Sequence, residues 1–182
     1  MRNSKRLVVG LVAAMLALTA GVYIGLETRQ ERTPEPSISA EAITRFFATR
    51  LNDAEGKPQI LAQWQGKTLV INFWATWCPP CREEMPSFSR LQAKHAANGV
   101  QFVGIALDTA DNVATFSKQL PVSYPLLIAD SEGMDLTRQL GNAQMALPYT
   151  VVLGTGGEVR LARLGRVSEQ ELDLLLQKTC VR

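Results

Sequence analysis

Three apolar runs, each followed by a stretch with helical periodicity, constrain the fold of this chain more than any other feature of its sequence. The first run, residues 68–75, is rich in β-branched and aromatic residues, which predicts a strand buried on both faces. Residues 100–108 predict another buried strand, and residues 124–130 predict a third strand. The helices predicted to follow them span residues 79–97, 111–120 and 132–140. Strands that alternate with helices predict a partly parallel sheet with helices on both faces.

Two further segments add antiparallel pairs to the predicted sheet. Residues 45–61 have the pattern of a short hairpin-like entry, and residues 148–165 hold two strands around the turn Gly-Thr-Gly-Gly. A final helix is expected to begin at Ser168, because Glu171 follows at the spacing of a capping box. The predicted fold class is therefore α/β, with a central mixed β-sheet.

The first predicted helix begins with a pair of cysteines, Cys78 and Cys81, separated by two prolines. If Cys78 is the N-cap residue, its sulfur faces the positive end of the helix dipole and unpaired backbone N–H groups. Both favour the thiolate, which is the nucleophile in thiol–disulfide exchange. Cys81 lies one turn further along, within reach of a mixed disulfide on Cys78. The sequence therefore predicts that Cys78 attacks and that Cys81 resolves.

The two prolines bear on the direction of electron flow. Pro79 suits the first helical position, where a missing N–H is tolerated. Pro80 has no N–H to donate to the Cys78 thiolate, so the Cys81 N–H is the expected backbone donor. A thiolate with fewer donors is less stabilised, and a less stabilised reduced form makes a better reductant. The motif is predicted to give electrons.

A metal site and a structural disulfide are the alternatives for this cysteine pair. Tetrahedral zinc takes about four nitrogen or sulfur ligands. Beyond the pair, the chain offers Cys180 and His95, neither at zinc-ligand spacing. A disulfide that closes so small a loop removes little unfolded-state entropy, which disfavours a purely structural role. We expect no metal and no cofactor other than the redox-active cysteine pair.

The N-terminus has the pattern of an export signal or a membrane anchor. Residues 1–6 are basic, residues 7–26 carry no charge, and a polar linker follows over residues 27–39. A helix of about 20 apolar residues spans a bilayer, which favours an uncleaved signal-anchor over a cleaved signal and a soluble periplasmic domain. The basic start predicts a cytoplasmic N-terminus, with the domain of residues 40–182 in the bacterial periplasm.

Residues 71–86, INFWATWCPPCREEMP, resemble the thioredoxin superfamily. They are most similar to its membrane-anchored bacterial branch, the TlpA- and ResA-like proteins that include the cytochrome c maturation thioredoxins. Residues 146–159 resemble the cis-proline loop of that superfamily and the strand and glycine turn that follow it. The resemblance covers about residues 45–178 and implies a thioredoxin-like fold with thiol:disulfide oxidoreductase activity.

The resemblance also implies a surface that binds the substrate. Pro148 matches the cis-proline of the family, and the backbone of Leu147 would pair with the substrate chain. Trp77 is expected to form apolar surface around the attacking cysteine, where a partner would dock. With Pro79, these residues make up the predicted substrate-binding set.

Asn72 and Glu84 mark a departure from ordinary thioredoxins. Those proteins carry a buried aspartate where this chain has Asn72, and the membrane-anchored branch has a glutamate where this chain has Glu84. Glu84 lies at i+3 from Cys81, so it shares a helix face with the dithiol. A partly buried carboxylate with a raised pKa could accept the Cys81 proton during exchange. Its neighbour Glu83 is expected to be a solvated charge.

Three other residues receive simpler interpretations. Trp74 is expected to pack in the core, and His95, late in a helix, is expected to lie at the surface. Cys180 has no partner by spacing, and a free thiol and an intermolecular link both stay open for it.

The sequence therefore predicts a periplasm-facing enzyme that reduces disulfides in client proteins through the Cys78–Cys81 dithiol. The resemblance suggests apocytochrome c or a metallochaperone as the client, and a membrane-embedded thiol reductase as the electron donor. A net charge of +2 is too small to indicate a nucleic-acid partner. A dithiol oxidase that inserts disulfides, and a copper- or zinc-binding module without turnover, stay open as alternatives.

Overall fold

The computed structural model of the protein describes residues 38–129 and 131–179. The α-helices of this part are α1 (Ala40–Ala48), α2 (Pro79–His95), α3 (Ala110–Gln119), α4 (Ser131–Gln139) and α5 (Glu169–Thr179). The strands are β1 (Arg50–Asp53), β2 (Pro58–Ile60), β3 (Thr68–Trp74), β4 (Val100–Ala106), β5 (Leu126–Ile128), β6 (Tyr149–Leu153) and β7 (Val159–Leu164). Short 3-10 helices span Leu61–Trp64 and Ala96–Asn98.

The strands form one mixed sheet in the order β2-β1-β5-β4-β3-β6-β7. β3 pairs in parallel with β4, and β4 pairs in parallel with β5, through the two crossovers that contain α2 and α3. The other pairs are antiparallel, including the β1–β2 hairpin and the β6–β7 hairpin. The mixed sheet predicted from the order of the elements is confirmed.

Each face of the sheet buries its own apolar cluster. Side chains alternate along β3, so Val70 and Trp74 face one cluster while Leu69, Ile71 and Phe73 face the other. Helices α2, α3 and α5 pack on the first face, and α1 and α4 pack on the second. Helices therefore cover both faces, as predicted, and Trp74 is a fully buried core residue.

The entry to the domain differs from its prediction. Residues 45–48 belong to helix α1, not to a strand, and only β1 and β2 form the expected hairpin. Ser39 caps this helix by accepting the Ala42 N–H at 3.1 Å. Phe46 and Phe47 are both buried against the sheet, and this tertiary burial decides the conformation of a segment whose aromatic residues suggested a strand.

His95 was expected at the surface, and that interpretation is wrong. Its side chain is buried, and its Nε2 lies 2.7 Å from Asp173 Oδ1 of helix α5. Helix α5 packs across the end of α2 and removes this position from solvent. Asp173 also accepts from Lys94 Nζ at 2.7 Å, so the same carboxylate joins the two helices twice.

The predictions for residues 1–6, 7–26 and 27–37, and for Cys180, lie outside the described residues. Within the described ranges, no helix is long and apolar enough to cross a membrane.

Candidate active site

The cysteine pair lies where β3 gives way to α2. Trp74 ends the strand, and Cys78 is the N-cap residue of the helix. A disulfide joins Cys78 to Cys81, with the two Cα atoms 5.4 Å apart. Pro79 and Pro80 occupy the first two helical positions, so the Cys81 N–H is the first amide donor of the helix. It donates to Cys78 Sγ at 3.4 Å.

The two cysteines differ in their access to solvent. Cys81 is fully buried, whereas Cys78 is 4% exposed. Trp77, directly before Cys78, is 67% exposed and presents an aromatic surface next to it. A disulfide on a partner can therefore meet Cys78 but not Cys81, which is the asymmetry expected of an attacking and a resolving cysteine.

An apolar groove of about 630 Å³ opens beside Trp77. Leu107 contributes from the end of β4, Met134 from α4, and Met145 and Leu147 from the loop before β6. The structure thus brings Trp77 and Leu147, which are far apart in the sequence, to one surface. An extended apolar segment of a partner could lie along this groove next to the disulfide.

The other two residues predicted to bind the substrate lie outside the groove lining. Pro79 is exposed at the start of α2, and Pro148 is buried at the start of β6. The Leu147–Pro148 peptide bond is cis. The preceding loop is fixed by Asn142, whose Nδ2 donates to the Ala146 carbonyl at 2.9 Å and whose Oδ1 accepts the Ala146 N–H at 3.3 Å.

Glu84 lies on α2, three residues after Cys81, and is only 2% exposed. Its Oε1 accepts from Asn72 Nδ2 at 2.9 Å, and its Oε2 accepts from the Val167 N–H at 3.3 Å. Burial raises the pKa of Glu84 from its ordinary value of 4.5 to about 7, although these hydrogen bonds and the positive charge of Arg166 offset part of the rise. This carboxyl can therefore gain or lose a proton near neutral pH.

Three residues around the Asn72–Glu84 pair were not identified from the sequence: Thr150, Arg166 and Val167. Asn72 Nδ2 also donates to Thr150 Oγ1, at 3.2 Å, because β6 pairs with β3 in a register that sets these two residues opposite each other. Arg166 forms an exposed ion pair of 2.7 Å with Glu83. A threonine inside an apolar strand was a visible signal, but its partner depends on the register of the sheet.

Asp108, which sequence analysis also missed, holds the loop that leads to Cys78. Its Oδ2 accepts from the Thr76 N–H at 2.9 Å and from Thr76 Oγ1 at 2.5 Å. Its Oδ1 accepts from the Thr109 N–H and from Asn112 Nδ2, each at 2.8 Å. Burial raises the pKa of Asp108, but these four hydrogen bonds outweigh it and hold the pKa below the ordinary value of 3.8.

The position of Asp108 in the sequence did carry a signal. It directly follows an apolar run, and the carboxyl ends of neighbouring parallel strands meet at one edge of a sheet. An aspartate at the end of β4 therefore faces the loop after β3.

The described residues include no group of three or more histidine, cysteine, aspartate or glutamate side chains that could hold a metal ion. The third cysteine of the chain, Cys180, lies outside them. The expected absence of a metal stays a prediction.

A mixed sheet with helices on both faces, a Cys-x-x-Cys disulfide at the N-terminus of the helix after β3, and a cis-proline before β6 define a thioredoxin-like thiol:disulfide oxidoreductase. The chain belongs to the Redoxin family, whose family model matches residues 34–176.

Known proteins of similar sequence and structure agree with this class. The thiol-disulfide oxidoreductase ResA of Bacillus thuringiensis subsp. konkukian is 31% identical over 158 residues, which cover 86% of this chain and 85% of that protein. A thioredoxin-related protein from Neisseria meningitidis serogroup B has a TM-score of 0.65 and 35% identity, covering 72% of this chain and 99% of its own. A thioredoxin-family thiol:disulfide interchange protein from Chlorobium tepidum TLS has a TM-score of 0.63 and 30% identity, covering 72% and 92%.

Proposed function

We propose that this oxidoreductase is anchored in the bacterial inner membrane, faces the periplasm and reduces disulfides in client proteins. The observation that supports this direction is the number of amide donors at Cys78. One N–H, that of Cys81, donates to Cys78 Sγ, while Pro79 and Pro80 have none to give. A thiolate with few donors is weakly stabilised, so the dithiol gives up its electrons more readily.

The proposed reaction begins with the reduced pair. The Cys78 thiolate attacks a client disulfide, which forms a Cys78–client mixed disulfide and releases one client sulfur as a thiolate that takes a proton. Cys81 then gives its proton to the Glu84 carboxylate and attacks Cys78 Sγ. The mixed disulfide breaks, the second client sulfur leaves, and Cys78–Cys81 is oxidised. Two electrons pass to the client, and no cofactor other than the cysteine pair is required.

The proposed physiological setting is supported by the N-terminal sequence and by the family resemblance. The uncharged residues 7–26 would anchor the chain, and the basic residues before them would place the catalytic domain in the periplasm. That compartment is oxidising, so a membrane-embedded thiol reductase would have to restore the dithiol. Apocytochrome c and a metallochaperone are the proposed client classes, because the ResA-like branch is the one this chain resembles.

The reduction potential of the Cys78–Cys81 pair tests the proposed direction of electron transfer, from this pair to the client. The full chain would be equilibrated in defined thiol buffers. It would carry Cys180→Ser, so that the measured potential belongs to the Cys78–Cys81 pair alone. A reductant is expected to lie below about −220 mV. A value near about −120 mV would contradict the proposal and favour an enzyme that inserts disulfides.

Trapping of covalent adducts distinguishes a thiol:disulfide oxidoreductase from a metal-binding module. With Cys81→Ser, the mixed disulfide on Cys78 cannot be resolved, so a turnover enzyme accumulates covalent adducts with clients. A copper- or zinc-binding module would lose metal and trap no client, which would overturn the proposal. Cys78→Ser is the matched control, since it removes the attacking sulfur and should trap nothing.

The role proposed for Glu84 is tested by comparing two neighbouring carboxylates. Glu84→Gln keeps the size of the side chain but cannot take the Cys81 proton, so resolution of the mixed disulfide should slow by about 10²-fold or more. Glu83→Gln removes an exposed carboxylate on the same helix turn and should leave the rate unchanged. Equal rates for the two variants would show that Glu84 does not act in the exchange.

A further inference from the structure

Three polar side chains meet inside the apolar face of the sheet that carries α2. Asn72 of β3, Thr150 of β6 and Glu84 of α2 are all buried. The register of the sheet sets Asn72 opposite Thr150 on one side and opposite Gly104 on the other. Polar groups in such a core are hydrogen-bonded as a rule, because an unpaired buried group costs free energy.

The hydrogen bonds of Asn72 suit an ionised Glu84. Its Nδ2 donates to Glu84 Oε1 at 2.9 Å and to Thr150 Oγ1 at 3.2 Å, so both of its N–H groups have acceptors. Its Oδ1 is buried and has no partner among the described residues. The amide therefore donates both of its N–H groups, one of them to the carboxylate, while its own oxygen has no donor among the described residues.

Protonation of Glu84 changes the hydrogen-bond partner that the carboxyl needs, from a donor to an acceptor. The carboxyl now has an O–H to donate, and Asn72 Nδ2, which lies 2.9 Å from Oε1, is also a donor. The other oxygen of Glu84 is already engaged by the Val167 N–H. In the present arrangement a proton on Oε1, on the side of Asn72, would face a donor inside a buried site. A half-turn of the amide about its Cβ–Cγ bond, a soft sp³–sp² torsion, brings Oδ1 to the place of Nδ2.

We propose that the Asn72 amide makes this half-turn whenever Glu84 exchanges its proton. Asn72 Nδ2 donates to the carboxylate, and Asn72 Oδ1 accepts from the carboxyl. The Thr150 hydroxyl follows, because it can accept from Nδ2 in one state and donate to Oδ1 in the other. Each state of Glu84 then keeps its hydrogen bond to Asn72, and after the half-turn the NH₂ group takes the place where Oδ1 has no partner among the described residues. Asn72 is a positioning residue here, since it acts through Glu84, and the inference rests on the proposed role of Glu84 as proton acceptor.

Burial is the main cause of the raised pKa of Glu84, and other charged and titratable groups interact with the carboxyl. Arg166, between β7 and α5, favours the carboxylate by its charge, and the buried Tyr124, before β5, interacts with it electrostatically. Cys81 precedes Glu84 by three residues on the same helix, and Cys78 is the N-cap of that helix. The Asn72 amide differs from these groups because it is a planar group that carries both a donor and an acceptor and can rotate as a unit.

An aspartate in place of Asn72 could not do the same. Its carboxylate has no N–H, so it would face the Glu84 carboxylate with like charge or share one proton with it. This gives a physical reason for an amide, rather than a carboxyl, at this position in a chain that carries its acid on α2.

The experiment follows the side-chain amide by NMR in the full chain, labelled with ¹⁵N at asparagine and ¹³C at glutamate. The Asn72 NH₂ signals are assigned by their contacts to the Thr150 methyl group. Between pH 5 and 9 the Glu84 carboxyl carbon should titrate. At low pH, with the same midpoint, the Asn72 proton bonded to the carboxylate should lose its low-field shift. The NH₂ group should also lose its contact with the Thr150 methyl group.

Two variants make the result decisive. In Glu84→Gln the Asn72 signals should no longer change with pH, whereas in Glu83→Gln they should follow the wild-type curve. Asn72 signals that stay constant while the Glu84 carboxyl carbon titrates would overturn the inference, and so would a change that persists in Glu84→Gln. Either outcome leaves the proposed function standing, because that function is tested separately, by the reduction potential of the cysteine pair and by trapping with Cys81→Ser.

Discussion

The buried carboxyl of Glu84 should make the stability of the oxidised protein depend on pH. The perturbation is Glu84→Gln, which keeps the shape of the side chain and removes its titration. The glutamine also changes the hydrogen bonds with Asn72 and Val167, but that effect does not vary with pH. The informative quantity is therefore the difference in unfolding free energy between variant and wild type, followed across pH.

The sign and size of this pH dependence follow from the pKa of Glu84. The folded state holds the proton more tightly than the unfolded state, because burial raises the pKa from 4.5 to about 7. The unfolding free energy of the wild type should therefore fall as pH rises through that window and level off above it. At about 1.36 kcal/mol for each pH unit between the two values, the loss approaches about 3 kcal/mol.

Urea unfolding of the disulfide-bonded protein at a series of pH values from about 4 to 8 measures this loss. The Glu84→Gln variant should gain about 3 kcal/mol relative to the wild type over this range. Glu83→Gln removes an exposed carboxylate from the same helix and should keep the wild-type dependence, since its surface pair with Arg166 contributes little. A constant difference between Glu84→Gln and wild type would refute the reasoning, because it would mean that burial does not perturb this carboxyl.

Three further predictions concern residues around the site. Asp108→Ala should lower the unfolding free energy by about 2 kcal/mol and speed amide hydrogen exchange at Thr76, whose N–H donates to Asp108. Unchanged protection at that amide would show that Asp108 does not hold the loop before Cys78. Gly104→Ala would place a Cβ 2.6 Å from Leu126 Cδ2, so it should destabilise the fold by about 1–3 kcal/mol in urea, and a neutral effect would show that the site can relax. His95→Ala should cost about 2 kcal/mol in the same assay, because it leaves a cavity and breaks the bond to α5, whereas an exposed histidine would cost almost nothing.

Much of the fold could be read from local pattern. The run that became β3 is short, rich in β-branched and aromatic residues and apolar at nearly every position, a pattern typical of a strand covered on both faces. The Cys-Pro-Pro-Cys segment predicted its own N-cap geometry, because proline is compatible with the first turn and little else in a helix. Residues 45–48 show the limit, since the same aromatic residues fit a strand or an amphipathic helix.

The sequence by itself determined the chemistry: two cysteines one helical turn apart, at a strand–helix junction, with prolines between them. Which groups surround that chemistry was decided only by the tertiary structure. Asn72 meets Thr150 because of the register of β3 and β6, and Thr76 meets Asp108 because parallel strands end at the same edge. Such contacts join residues far apart in the chain, and local pattern carries no record of register or of which helix packs across another. For the same reason the burial of His95, and the surroundings that raise the pKa of Glu84, emerged only when the elements packed together.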